Sequence, residues 1–242
     1  MACISFYNSK VQIEIYLRSL ASKEKAKILS GFFKTGPGQY GEGDVFLGIT
    51  VPKIRKAVKA FEGITLAELK ILLGSKYHEE RLAALLILVA QYKKGDEFLR
   101  KKIFQLYLTN TRHINNWDLV DLSAEHIVGQ YLSDRPKDLL YKLAKSKDLW
   151  ERRISVLSTF AYIKEGECDE TLKISEMLLK DDHDLIHKAV GWMLREVGKR
   201  CSMQKEEAFL KKHYKIMPRT MLRYAIERFP EKKRQMYLRG QV

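Results

Sequence analysis

From Val51 to Phe229 the apolar residues recur at intervals of three and four, the period of an amphipathic helix, and no sustained alternation of period two interrupts them. Such a chain folds as helices, because a half-buried strand needs its apolar residues at every second position. Stretches at 65–73, 99–108, 136–144, 171–179 and 206–214 read as first helices of pairs, and Thr65 and Glu68 stand at capping-box spacing ahead of the first. The second helices open near Glu79, Asn116, Leu149, Leu185 and Pro218. Within them Arg81, Asp118, Arg153, Lys188 and Thr220 each precede an apolar run, at spacings of 37, 35, 35 and 32 residues.

A two-helix unit of this size cannot bury its apolar face alone and must stack on its neighbours. The expected fold is therefore all-α: a superhelical solenoid of HEAT-like antiparallel helix pairs with a concave basic face. Tetratricopeptide repeats have a similar interval, but their Trp-x-x-Leu-Gly-x-x-Tyr pattern is absent. No linker rich in Pro, Gly or Ser divides the array, so residues 1–242 read as one domain. Residues 1–50 carry two helices, at 11–20 and 23–33, and a glycine-rich loop; residues 51–230 carry the repeats and 231–242 a basic, solvated tail. The loop from Gly36 to Asp44 contains GxGxxG by letter count, yet no strand precedes it and Pro37 interrupts it, which argues against a dinucleotide cradle. Four glycines in nine residues fit a flexible loop bordering a binding surface.

A net charge of +14 builds a field that attracts polyanions, a class that includes nucleic acid as well as ribosomal and lipid surfaces. Cys3, Cys168 and Cys201 have no zinc-site spacing and read as free thiols, so neither a metal nor a disulfide is expected. No apolar run of membrane-spanning length and no leader pattern occurs, which points to a soluble cytoplasmic protein, nucleoid-associated when bound to DNA.

Two motifs concentrate the chemistry: Trp117-Asp118-Leu119-Val120-Asp121 and Lys188-Ala189-Val190-Gly191-Trp192-Met193-Leu194-Arg195. Trp117 and Asp121 are four apart and share a helix face. Trp192 takes nearly the same place in its repeat as Asp121 does in its own, so both tryptophans are expected to flank Asp121 on the concave side. A tryptophan at helical spacing is usually core, and Asp118 in a first turn is explained as a helix-dipole partner whose loss costs little. Asp121, a turn inside an apolar helix, needs a groove or a cationic partner. Arg152, Arg153, Lys188 and Arg195 adjoin the same face and are candidate phosphate contacts. Two indoles and a carboxylate in a basic protein suit a cationic base on nucleic acid.

With the segments Phe46-Leu47-Gly48-Ile49-Thr50-Val51-Pro52, Asn116-Trp117-Asp118-Leu119-Val120-Asp121, Leu149-Trp150-Glu151-Arg152-Arg153 and Lys188 to Glu196 in this order, the chain resembles the AlkD-like DNA alkylation repair glycosylases. The resemblance implies a monofunctional, cofactor-free monomer that excises cationic N3- and N7-alkylated purines from duplex DNA. It assigns Asp121 as catalytic carboxylate, Trp117 and Trp192 as aromatic neighbours of the lesion and Arg153 as a backbone contact. It also implies action without a deep nucleobase pocket, in keeping with a sequence that signals none. The chain departs from the family where a tyrosine is expected ahead of the glycine-rich loop, since Phe32 and Phe33 stand there. A non-catalytic binder of damaged or branched DNA and a helical protein-interaction scaffold are the alternative readings.

Overall fold

A computed structural model describes residues 9–242, which are helical apart from loops and one isolated parallel bridge between Val45 and Tyr77. Cys3 lies outside the described residues; Cys168 and Cys201 are free thiols. Packing groups the chain into two compact units, divided after Ser123. No Pro, Gly or Ser cluster marks that boundary, so composition carries no trace of it.

The first unit contains α1 (Ser9–Ser19), α2 (Lys23–Phe32), α3 (Val51–Ala60), α4 (Leu66–Leu73), α5 (His78–Lys94), α6 (Glu97–Leu108) and α7 (Trp117–Asp121). The capping box is present: the Thr65 side chain accepts from the Glu68 N–H, and Glu68 reaches back to the Thr65 N–H. From Leu82 to Val89 α5 is apolar on every side, so it is buried all round, and α1, α3, α4, α6 and α7 pack against it.

The second unit contains α8 (Asp138–Ala144), α9 (Leu149–Ser158), α10 (Phe160–Lys164), α11 (Asp169–Met177), α12 (Asp184–Arg200), α13 (Met203–His213), α14 (Arg219–Ala225) and α15 (Glu231–Arg239). Its centre is α12, with Ile186, Ala189, Val190, Met193, Leu194 and Val197 fully buried. A Cβ on Gly191 would meet the Met221 carbonyl oxygen at 2.4 Å, so α12 and α14 approach at backbone distance and only glycine fits there. Residues 231–239 of the basic tail form α15, with Glu231 and Lys232 exposed to solvent. Tyr237 is buried against Phe229 and Tyr214, and Lys233 pairs with Glu207 at 2.7 Å. One buried aromatic ring thus holds a segment whose charge alone reads as surface.

Candidate functional site

The site grows from the start of α5. Glu79 accepts three backbone N–H groups, from Leu47 at 2.8 Å, Gly48 at 2.8 Å and Ile49 at 3.1 Å. Gly48 has φ +82°, and a Cβ there would lie 2.2 Å from the Ser22 carbonyl oxygen. The Ser22 N–H in turn donates to the Leu47 carbonyl at 2.8 Å, which ties α2 to this loop. None of the α2 residues is buried, and Ile28, Leu29 and Phe32 line one wall of a cleft of about 550 Å³. Phe33, Phe46, Ile49, Ile54 and Leu82 contribute further apolar wall, Lys25 a cation, and Trp117, Asp118 and Asp121 the polar and aromatic groups of α7. That volume falls within the range of about 300–1,000 Å³ typical of ligand clefts. The cleft is open to solvent, and its walls come from four separated segments, which no local pattern announces.

Trp117 and Asp121 meet on this cleft as their spacing predicts, with α7 held at its start by Asn116, whose side chain accepts the Trp117 N–H at 2.9 Å. The rings of Trp117, Phe33, Phe46 and His78 form an aromatic cluster: Trp117 stacks on Phe33 at 5.1 Å, and Phe33, Phe46 and His78 lie in mutual contact with centroids 5.0, 4.5 and 5.0 Å apart. Phe32 stands edge-on to Trp117. The Trp117 indole N–H donates to the Tyr40 hydroxyl at 3.3 Å, so the glycine-rich loop supplies a hydroxyl beside a site where Phe32 and Phe33 offer none.

Behind the cluster lies a buried charge network. His78, 1% exposed, places Nε2 2.8 Å from Asp118 Oδ2 and Nδ1 3.1 Å from Asp44 Oδ2. Arg81 Nη2 donates to Asp44 Oδ1 at 2.6 Å, and the Asn116 amide donates to Asp44 Oδ2 at 3.2 Å. Burial opposes the charged imidazolium, but hydrogen bonds to Asp118 and Asp44 outweigh it and raise the His78 pKa above its ordinary value. For Asp44, burial opposes ionisation, while His78 and Arg81 together lower its pKa. Asp118, only 8% exposed, is thus not the dispensable helix-end residue that its position predicts. Among the described residues no cluster of three or more His, Cys, Asp or Glu is arranged to hold a metal ion.

His78, Asp44, Glu79 and Tyr40 were not candidates from the sequence. The available signal was the run His78-Glu79-Glu80-Arg81 directly ahead of the unbroken apolar stretch from Leu82 to Ala90. A helix apolar on all sides is buried on all sides, and charged residues at its start are then buried with it and must be paired.

The other candidates lie in the second unit. Trp192 is half-buried, with its ring 5.8 Å from Phe160. Arg152 donates to Asp181 at 2.6 Å, Lys188 pairs with Asp184 at 2.6 Å, and Arg195 pairs with Glu227 and Glu196. Arg153, 5% exposed, donates to the Leu185 carbonyl at 2.6 Å. A guanidinium buried in this way ties α9 to α12. In the first unit Lys23, Lys25, Lys27, Lys53 and Lys56 are exposed on α2 and α3, with Lys25 on the cleft itself.

A family model described as DNA alkylation repair enzyme matches residues 13–229. No curated protein matches the chain. Among solved structures, a predicted DNA alkylation repair enzyme from Enterococcus faecalis is 16% identical and superposes with a TM-score of 0.66, over 87% of this chain and 97% of that one. At that identity the likeness establishes a common all-helical fold. The match over nearly the whole length of the helical array, together with that fold, shows that the chain belongs to the DNA alkylation repair enzyme family.

Proposed function

We propose that the protein is a DNA glycosylase that hydrolyses the N-glycosidic bond of cationic N3- and N7-alkylated purines in duplex DNA. The observation that carries this reading is the placement of Asp121 and Trp117 on one aromatic-walled cleft. Alkylation at N3 or N7 makes the purine cationic and a competent leaving group, so the enzyme need not protonate it. What remains is to stabilise positive charge on the sugar as the bond breaks. A fixed carboxylate does this where apolar walls exclude water, and it can orient the attacking water toward the anomeric carbon. The indole face of Trp117 favours the cationic base. A single carboxylate then suffices, unlike the pair used on ordinary glycosides.

In the same proposal Trp192 and the cations Arg152, Lys188 and Arg195 contact the damaged duplex from the second unit. Each of those cations already has a carboxylate partner, so a phosphate has to compete for it. The lysines of α2 and α3 are exposed and have no carboxylate partner among the described residues, so they supply the stronger phosphate contacts. Incubating the protein with duplex DNA carrying N7-methylguanine or N3-methyladenine and resolving released bases by chromatography tests the reading. Free methylated purine and an abasic strand are expected. Tight binding without release would instead favour a non-catalytic binder of damaged or branched DNA.

A further inference from the structure

We propose that His78 is a positioning residue whose doubly protonated ring, bridging Asp118 and Asp44, fixes α7 and with it Trp117 and Asp121 against the cleft. The inference rests on the glycosylase reading for its consequence in catalysis, and on geometry alone for the bridge. Both ring nitrogens face carboxylate oxygens, at 2.8 and 3.1 Å, and a carboxylate can only accept. A neutral imidazole carries one N–H, so one of the two carboxylates would then face a lone pair. Only the imidazolium satisfies both.

The bridge joins three segments: the glycine-rich loop through Asp44, α5 through His78, and α7 through Asp118. Helix α7 has five residues, too few for its own hydrogen bonds to hold it, so its position depends on the packing of buried Leu119 and Val120 and on such ties. Asp118 lies between Trp117 and Asp121 in sequence. The ring also contacts both Phe46 and Phe33, and Phe33 in turn stacks on Trp117. The charged groups acting on His78 are Asp118 from α7, Asp44 from the loop and Arg81 from its own helix. Its neighbours in α5 are committed elsewhere: Glu79 to the amides of residues 47–49, Glu80 to Arg18 and Ser75. Asp44, Asp118, His78 and Arg81 then sum to zero charge, and loss of the imidazolium proton leaves a buried net negative charge that loosens the bridge.

The test is a pH titration of protein with 15N-labelled histidine and tryptophan, followed by NMR, His78 and Trp117 being assigned by His78→Gln and Trp117→Phe. Both His78 ring nitrogens are expected to be protonated at pH 7, and the Trp117 indole resonance is expected to shift with the same midpoint as the ring. A ring that is neutral at pH 7, or an indole resonance that ignores its titration, overturns the proposal whether or not the protein releases bases. With methylated duplex DNA, parent excision is expected to fall as pH rises through the same midpoint. His78→Gln, which keeps one donor, should lower kcat about ten-fold or more with little change in KM and lose that limb of the profile. His78→Leu should lower kcat further. A His78→Gln protein that melts cooperatively and keeps the parent profile refutes the positioning role, whereas a parent that releases no base refutes only the glycosylase reading.

Discussion

Asp121 and Asp118 are three residues apart on one short helix and have different surroundings, Asp121 on the cleft and Asp118 bonded to buried His78. Asp121→Asn preserves size and removes charge, so DNA affinity should remain while excision slows by about a hundred-fold or more, as for loss of one preorganised electrostatic group. Single-turnover base release read beside a binding isotherm checks this; parent-like release by the variant would remove Asp121 from the chemistry. Asp118→Asn should cost stability, because it leaves the His78 imidazolium short of a buried partner. Glu79 is the residue-scale test of the cleft wall. Glu79→Ala strands three backbone N–H groups, two of them buried, and should destabilise the fold by about 3 kcal/mol or more in urea melts. The difference between Asp121 and Asp118 was only half legible in the sequence. Spacing puts Trp117 and Asp121 on one face, but the partner of Asp118 lies 40 residues away.

At the scale of elements, the repeat register predicts where each second helix begins, because caps and apolar periodicity are local signals. How closely two helices approach is not local. Gly191→Ala would drive a methyl into the Met221 carbonyl and the Tyr224 side chain, so a substitution that favours an isolated helix should here lower the melting temperature. Helix α13 carries a second such case, Glu206, which is buried with Oε1 lacking any partner. Burial raises its pKa to about 8. The folded state then holds a proton that the unfolded state releases near 4.5, so Glu206 lowers stability progressively as pH rises from about 4.5 to about 8. Glu206→Gln removes that linkage and should stabilise the protein by on the order of 1 kcal/mol or more at pH 8, with little gain at pH 5. Urea midpoints measured across that range decide it; a gain independent of pH would mean that Glu206 does not titrate in this window.

For the molecule as a whole, with a net charge of +14 and exposed lysines on α2 and α3, DNA affinity should fall steeply with salt as those lysines neutralise phosphates. Replacing Lys25, Lys53 and Lys56 by alanine should weaken binding to any duplex and reduce the slope of log affinity against log salt by about 3, one for each phosphate that is no longer neutralised. Arg153→Ala should chiefly lower the melting temperature, since its buried guanidinium bonds to the Leu185 carbonyl and ties α9 to α12. Isotherms at several salt concentrations, set beside thermal melts, separate the two effects.

The sequence by itself determined the helical class, the pairing of helices, the polyanion-seeking charge and the pairing of Trp117 with Asp121, because each follows from composition or from residues within one or two turns. Only the tertiary structure decided that the chain packs as two units, that residues 231–239 form a docked helix, and that Arg153 and Asp118 are buried. It alone brought His78 and Glu79 to the cleft, and Asp44 and Tyr40 into contact with His78 and Trp117. The physical reason is that a buried charge is defined by its partner, and here the partners are supplied by segments about 30 to 80 residues apart in sequence, beyond the reach of any periodicity.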